Sequence, residues 1–181
     1  MKKTLLLFTL LGGLLLAAPG CKKAREVINF QITDSQSFTV PSTLPVIPGT
    51  LFPLPARTVP STAQTAYASK GTTSDLVENV TLEEFTLTIT NPTGQNFDFL
   101  KRIELYISTN AQGTDKVLLA SLNTVPAGVS KISLLPAGNK IDQYLRNDTY
   151  TILSSVEVAK RPTANLDVRA DSRFSVRAKL K

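Results

Sequence analysis

Apolar and polar residues alternate strictly in the C-terminal segment of the chain. From Leu166 to Lys181, every even-numbered position holds an apolar or small residue, and every odd-numbered position holds a polar or charged one. A period of two residues is typical of a β-strand with one buried face. Such a segment spans roughly 50 Å at about 3.3 Å per residue, which is longer than most strands. We therefore expect a strand with a bend or a break near Asp171 and Ser172.

The same alternation predicts several further strands. Turn-forming Pro, Gly and Asn residues separate segments that cover residues 80–89, 103–107, 116–122, 131–135 and 150–158. The phase of the alternation changes at Glu83 and Glu84, as a β-bulge would cause. Closer to the N-terminus, residues 28–40 alternate except between Thr33 and Gln36, and this interruption predicts a β-hairpin.

Residues 41–74 are rich in Pro, Ser and Thr and are expected to be irregular. Six of the eleven prolines fall in residues 41–60, where they exclude a central strand because proline donates no backbone hydrogen bond. The apolar residues between them favour a segment packed across the edge of the domain, and the alternative is an exposed apolar strip that docks a partner. Residues 61–74 are predicted to form a loop.

Two short helical turns interrupt the β pattern. Asp75 begins the first turn as its cap, with Glu78 three residues later in the capping-box position. In residues 139–146, Ile141, Tyr144 and Leu145 have the spacing of one face of a short helix.

These elements predict an all-β fold, an antiparallel β-sandwich of seven to nine strands with immunoglobulin-like architecture. Residues 26–181 are long enough for a single domain with its own core and too short for two generous ones. The Cys–Trp–Cys set of true immunoglobulin domains is absent, since the chain has one cysteine and no tryptophan. The immunoglobulin-like label therefore depends on architecture alone.

The first 21 residues have the order of a secretory signal. Lys2 and Lys3 precede an apolar run from Leu5 to Leu16, which is too short for a transmembrane helix, and small residues then lead to the only cysteine. The motif Ala18-Pro19-Gly20-Cys21 resembles the lipobox of bacterial lipoproteins. The resemblance implies that residues 1–20 are removed, that Cys21 is acylated, and that residues 21–25 form a lipidated N-terminus and spacer.

Two alternatives to lipidation stay open. Ala18-x-Gly20 also fits an ordinary secretory signal cut at the same bond, which would release a soluble protein with a free thiol. An uncleaved N-terminal anchor is the other alternative. For a lipoprotein, the family's sorting habits imply an exported protein anchored in the outer membrane, because Lys22 rather than Asp follows the cysteine.

The composition argues against an enzyme. The chain has no histidine, the commonest general base and metal ligand, and it contains no Gly-x-Ser-x-Gly, phosphate-loop or calcium-loop motif. Glu83 and Glu84 are adjacent in a strand, so we expect them to point to opposite faces and not to act jointly. We expect no catalytic residue, no metal site and no cofactor.

The odd-numbered face of the C-terminal strand is a candidate site for an anionic ligand. Its basic residues, here called the basic stripe, are Arg169, Arg173, Arg177 and Lys179. Arginine suits bidentate contacts with anionic groups. Asp167 and Asp171 lie on the same face, so the alternative is a solvated surface with cross-strand ion pairs.

These features predict a membrane-tethered envelope lipoprotein whose β-sandwich binds or scaffolds another molecule without catalysis. The lipid anchor makes the membrane one partner, and another envelope protein is the expected second partner. The alternative function is a module that binds a surface glycan or anionic polymer through the basic stripe. Nucleic acid is disfavoured because the chain carries an export signal and no aromatic residues are interleaved with the arginines.

Overall fold

The computed structural model describes residues 26–181, in which strands are the main regular element. The strands are β1 (Val27–Val40), β2 (Phe52–Pro53), β3 (Arg57–Pro60), β4 (Val77–Asn91), β5 (Leu100–Ser108), β6 (Val117–Leu122), β7 (Lys131–Pro136), β8 (Thr149–Val158) and β9 (Leu166–Lys179). The helical elements are α1 (Ala63–Ser69) and two short 3-10 helices, Ser74–Leu76 and Tyr144–Arg146.

All strand pairs in this part of the chain are antiparallel, as predicted. The hydrogen-bonded order is β1-β9-β4-β7-β6-β5-β8-β2, and β3 pairs with β8 beside β2. Strand β7 joins the two halves of this path, because Lys131–Leu134 pair with β4 and Leu135–Pro136 pair with β6. The result is one curled sheet whose inner face encloses the core.

Strand β9 runs without a break, so the break expected near Asp171 and Ser172 is wrong. Its register with β1 is continuous from Val27 opposite Lys179 to Val40 opposite Leu166. Neighbouring strands on both sides supply hydrogen bonds, and the polar residues in the middle have local partners. The Ser172 hydroxyl donates to the Asp34 carbonyl at 3.2 Å. The predicted alternation is present, because the even-numbered residues of β9 face the core.

Strand β1 is also continuous, so the hairpin predicted at Thr33–Gln36 is wrong. The polar residues there face partners on other elements instead of forming a turn. The Ser35 hydroxyl donates to the Asp171 carboxylate at 2.6 Å, and the Asp34 carboxylate accepts from the Thr62 backbone at 2.9 Å. Polar residues within an alternating segment can therefore continue a strand when their side chains are satisfied.

The bulge predicted at Glu83–Glu84 is confirmed. The register of β4 against β9 shifts between Leu82 and Glu84. Strand β6 lies between β5 and β7, which confirms the inner strand predicted for residues 116–122. The strands predicted at 103–107, 131–135 and 150–158 are present as β5, β7 and β8.

The helical elements depart from the sequence predictions in three places. Residues 61–74 are not wholly loop, because α1 packs Ala63 and Tyr67 into the core one turn apart. The predicted turn near Asp75 exists, but it begins after Thr73, and no side chain caps it. In residues 139–146 only Tyr144–Arg146 is helical, although Ile141 and Leu145 are buried as their spacing indicated.

The proline-rich segment packs on the edge of the sheet. Strands β2 and β3 pair with β8, and Leu44 and Val59 are buried in the core. Val46 and Ile47 remain exposed in the loop before β2. In residues 26–181, no helix is both long and apolar enough to cross a membrane.

Phe174 on β9 tests the importance of this strand for stability. It is fully buried, and its ring packs edge-on against Tyr150 with ring centres 6.1 Å apart. Phe174→Ala should lower the free energy of unfolding by about 3–5 kcal/mol because it leaves a cavity in the core. Ser175→Ala, on the exposed face of the same strand, should change it by less than about 0.5 kcal/mol. Denaturant unfolding measures both, and equal effects would contradict the inward orientation of Phe174.

Candidate functional site: a seam cavity

The curled sheet leaves a seam between its two terminal edges. Strand β1 forms one edge, and β2 and β3 together form the other. In the described part of the chain, no backbone hydrogen bond joins β1 to β2 or β3. Side chains therefore close the seam.

A cavity of about 100 Å³, here called the seam cavity, lies behind this seam. Residues from both halves of the sheet line it, and most of them are apolar; the polar ones are Asp34, Gln36, Arg57, Tyr150, Ser154 and Ser172. The central lining includes Leu87, Phe99, Leu105, Val156 and Val168. The volume is of the order of the engineered cavity of roughly 150 Å³ that stays dry and admits benzene. An apolar group of that size would fit without displacing the sheet.

Asp34 closes one end of the seam cavity. Its carboxylate is 4% exposed and accepts hydrogen bonds from the Thr62 hydroxyl at 2.8 Å and the Tyr150 hydroxyl at 3.2 Å, besides the Thr62 backbone bond. Burial, and then the charge of Asp34, raise the pKa of Tyr150 well above its ordinary value. Tyr150 therefore stays neutral and acts as a donor, so this end is a satisfied polar cap.

Arg57 lies across the mouth of the seam cavity. Its guanidinium on β3 sits 4.6 Å from the centre of the Phe38 ring on β1, so it bridges the two edges. Arg57 is on the same side of β3 as buried Val59, yet it is itself exposed. Among residues 26–181, no carboxylate forms an ion pair with Arg57. The mouth thus carries one positive charge that no acidic side chain compensates.

The basic stripe lies on the outer face of the same sheet, and each of its members is paired with an acidic residue. Arg169 contacts Asp171 at 2.9 Å, and Lys179 contacts Glu78 at 2.7 Å. A hydrogen bond from Lys179 is the main cause that holds the pKa of Glu78 below its ordinary value. Arg177 also contacts Glu78, at 3.2 Å.

Arg173 corrects the prediction that Glu83 and Glu84 point to opposite faces. Its guanidinium lies 3.4 Å from the Glu83 carboxylate and 2.6 Å from the Glu84 carboxylate. The bulge inserts an extra residue at this point, so the strict alternation of sides is lost and both carboxylates reach the same arginine.

A shallow polar groove of about 390 Å³ lies on the outer face beside Arg173. Its charged lining residues are acidic Asp34, Glu84 and Asp171 and basic Lys131 and Arg173. Because acidic residues outnumber basic ones in its lining, the groove offers no net attraction for an anion, in contrast to the mouth at Arg57.

Two further sequence predictions concern the lipidation site and metal binding. Cys21 lies outside the described residues. Within residues 26–181, no three Asp, Glu, Cys or His side chains lie close enough together to hold a metal ion.

Comparisons with known proteins give distant structural similarities. No family model matches the chain, and no curated protein matches it in sequence. The 60-mer BFDV capsid protein is 8% identical, with a TM-score of 0.46 over 86% of this chain and 95% of that chain. The decameric BFDV capsid protein is 10% identical, with a TM-score of 0.39 over 85% and 100%. Desmodium yellow mottle tymovirus is 12% identical, with a TM-score of 0.32 over 100% and 98%.

Sequence reasoning missed the seam cavity, although one signal was present. Asp34 and Gln36 occupy even positions between Ile32 and Phe38, and those positions face the core in β1. Two polar residues at inward-facing positions indicate a place where the core is interrupted or lined by a ligand site. The residues of β3 and β8 that complete the cavity come from distant parts of the chain.

The two buried tyrosines predict a loss of stability at alkaline pH. Burial, followed by the charge of Asp142, raises the pKa of Tyr67 to about 12, and the pKa of Tyr150 is raised also. Because the folded-state pKa lies above the unfolded value of about 10, their contribution is complete below that pH and is lost as the pH rises further. Unfolding measured from neutral to strongly alkaline pH should show this decline.

The variants Tyr67→Phe and Tyr150→Phe should each have a shallower decline above about pH 10, since phenylalanine cannot ionise in the unfolded state. For each variant, the free energy of unfolding at pH 7 reports any lost hydrogen bond. The slope of that free energy against pH above about pH 10 reports the ionisation of the tyrosine. Wild type and both variants having the same alkaline slope would contradict the raised pKa values.

Proposed function

We propose that this chain is a membrane-tethered lipoprotein of the cell envelope with a non-enzymatic binding domain. The observation that supports the proposal most is the only cysteine, placed directly after a basic start, an apolar run and small residues. With no second cysteine for a disulfide, acylation is the most economical role for the Cys21 thiol. In this proposal the two halves of the curled sheet act as the layers of an antiparallel β-sandwich with immunoglobulin-like architecture.

The tether would hold one end of the sheet close to the membrane. Strand β1 begins at Val27, six residues after Cys21, so the connection reaches at most about 20 Å. Val27 lies opposite Lys179 in the register, and Lys181 follows at the same end. Because Lys179 is paired with Glu78, Lys181 would supply the positive charge that favours anionic headgroups. Lys22, rather than Asp, after Cys21 supports an outer-membrane anchor, and we propose another envelope protein as the partner of the domain.

Acylation of Cys21 predicts incorporation of a fatty-acid analogue in growing cells. The full-length chain should be labelled and should sediment with membranes, because two or more acyl chains anchor a protein stably. Cys21→Ala should abolish both label and sedimentation, whereas Lys22→Ala should preserve them. An unlabelled wild-type chain, or equal labelling of Cys21→Ala, would contradict the proposal.

A second candidate function is binding of a surface glycan or anionic polymer through the basic stripe. The observation that favours it is the row of arginines on the outer face of β9, of which Arg169 and Arg177 are exposed and Arg173 is half-buried. Exposed ion pairs contribute only about 0–1 kcal/mol each, so a polyanion could replace the acidic partners at small cost. The role requires no histidine, metal or cofactor.

The stripe can be tested by retention on an immobilised anionic polysaccharide at increasing salt. Changing Arg169, Arg173 and Arg177 together to Ser should lower the salt concentration needed for elution, because counterion-dependent contacts are lost. Changing Lys101, Lys116 and Lys140 together to Ser removes equal charge elsewhere and should have the smaller effect. Identical elution of the two triple variants would contradict binding through the stripe.

A further inference from the structure

We propose that the seam cavity binds the alkyl chain of a single-chain carboxylate amphiphile, a short fatty acid, with its carboxylate held by Arg57 at the mouth. The site is independent of the tether, because it lies wholly within residues 26–181. Its failure would leave the lipidation of Cys21 untouched, and the reverse also holds.

The walls of the seam cavity select an alkyl chain. Its lining is mostly apolar, with side chains such as Leu87, Leu105 and Val156, and polar side chains such as Gln36 and Ser154 are the minority. Transfer of each methylene from water into such surroundings strengthens binding roughly fourfold. A cavity on the scale of one that admits benzene holds about six carbons. Chains near that length should therefore fill it, and shorter chains should leave it partly empty.

The polar groups at the two ends of the seam cavity determine at which end the ligand carboxylate lies. At the Asp34 end, the hydrogen-bond donors of Thr62 and Tyr150 are already used by the Asp34 side chain. Phe38, under Arg57, is four residues further along β1, a separation of roughly 13 Å along the strand. A ligand carboxylate therefore finds no free donor at the Asp34 end, whereas the exposed Arg57 guanidinium attracts it. The planar guanidinium can donate two parallel hydrogen bonds to it.

The seam also provides the entrance. Strand β1 and the four-residue strand β3 are not joined by backbone hydrogen bonds in the described structure, and the Arg57–Phe38 contact spans the gap between them. A chain can enter by displacing these two side chains, without breaking a strand pair. Arg57 can then exchange its contact with the Phe38 ring for the carboxylate of the ligand.

The test is isothermal titration of the full-length chain carrying Cys21→Ala, which keeps acyl groups off the protein, with octanoate below its micellar concentration. Octanoate should bind at one site per chain, more tightly than butanoate and more tightly than octanol. Arg57→Gln should weaken octanoate binding by roughly ten- to a hundredfold, the effect of losing a charge-assisted hydrogen bond, and should leave octanol binding nearly unchanged.

Lys116→Gln is the matched control for Arg57→Gln. The Lys116 ammonium also lies over an aromatic ring, 4.9 Å from the centre of Tyr106, but neither residue lines the seam cavity. The Lys116→Gln variant should therefore bind octanoate as tightly as the parent chain does. Ala170→Leu fills the cavity from β9 and should abolish binding of both octanoate and octanol, provided that its thermal unfolding shows a folded chain.

Three results would overturn the proposal. The first is no binding of octanoate by the folded parent chain. The second is binding that Arg57→Gln leaves unchanged or that Lys116→Gln weakens equally. The third is octanol binding as tight as octanoate binding, which would remove the role of the positive mouth. Because Arg57→Gln changes an exposed side chain, it remains informative even if Ala170→Leu does not fold.

Discussion

The pairing of β9 with two neighbours along its length is the constraint on which this fold depends. Backbone hydrogen bonds connect it to β1 from Leu166 to Lys179 and to β4 over most of the same span. Its even-numbered side chains enter the core, where Phe174 meets Tyr150 from the other half of the sheet. A shift of β9 by one residue would turn this whole set outward, so the register is strongly specified. The shape of the seam cavity depends on that register, because the register turns Val168 and Ala170 of β9 into the cavity wall.

The curled sheet that results from this pairing has two free edges, β1 on one side and β2 with β3 on the other. Side chains cover these edges. Thr62, just before α1, donates to the Asp34 carboxylate through its hydroxyl and its backbone amide, and the same hydroxyl lies 3.1 Å from the Thr33 carbonyl. These contacts protect part of the edge of β1. Arg57 covers the next part of the seam by its contact with Phe38. Edge strands need such protection because their unpaired backbone groups otherwise invite association with other chains. A seam closed by side chains alone can open locally, which a ligand site requires.

Local patterns in the sequence predicted the strands well and the long-range closure poorly. The alternation in β9 and the phase change at Glu83–Glu84 correctly indicated a strand and a bulge. The hairpin predicted in β1 was wrong because the partners of its polar residues, Thr62 and Asp171, lie far away in the chain. The helix α1 was missed because its only signal was the one-turn spacing of Ala63 and Tyr67.

For the candidate sites, too, local patterns predicted single features, whereas features that depend on distant parts of the chain were missed. The acidic partners of the basic stripe were foreseen as a general alternative, but the convergence of Glu83 and Glu84 on Arg173 depends on how the bulge turns the strand. The seam cavity needs the curled path of the entire sheet, which brings Arg57 to Phe38 across a gap that no local pattern describes. Cys21 was identified by motif alone, and that role stays a prediction.

Native-state hydrogen exchange tests most directly whether the sheet opens more easily at the seam than at β9. Amides of β9 that pair with β4, such as those of Val176 and Phe174, should exchange only through global unfolding. Amides of β3 that pair with β8, such as that of Val59, should exchange through local opening with a free energy several kcal/mol lower. Equal protection of β3 and β9 would contradict the account, because the seam would then be as firmly closed as the centre of the sheet.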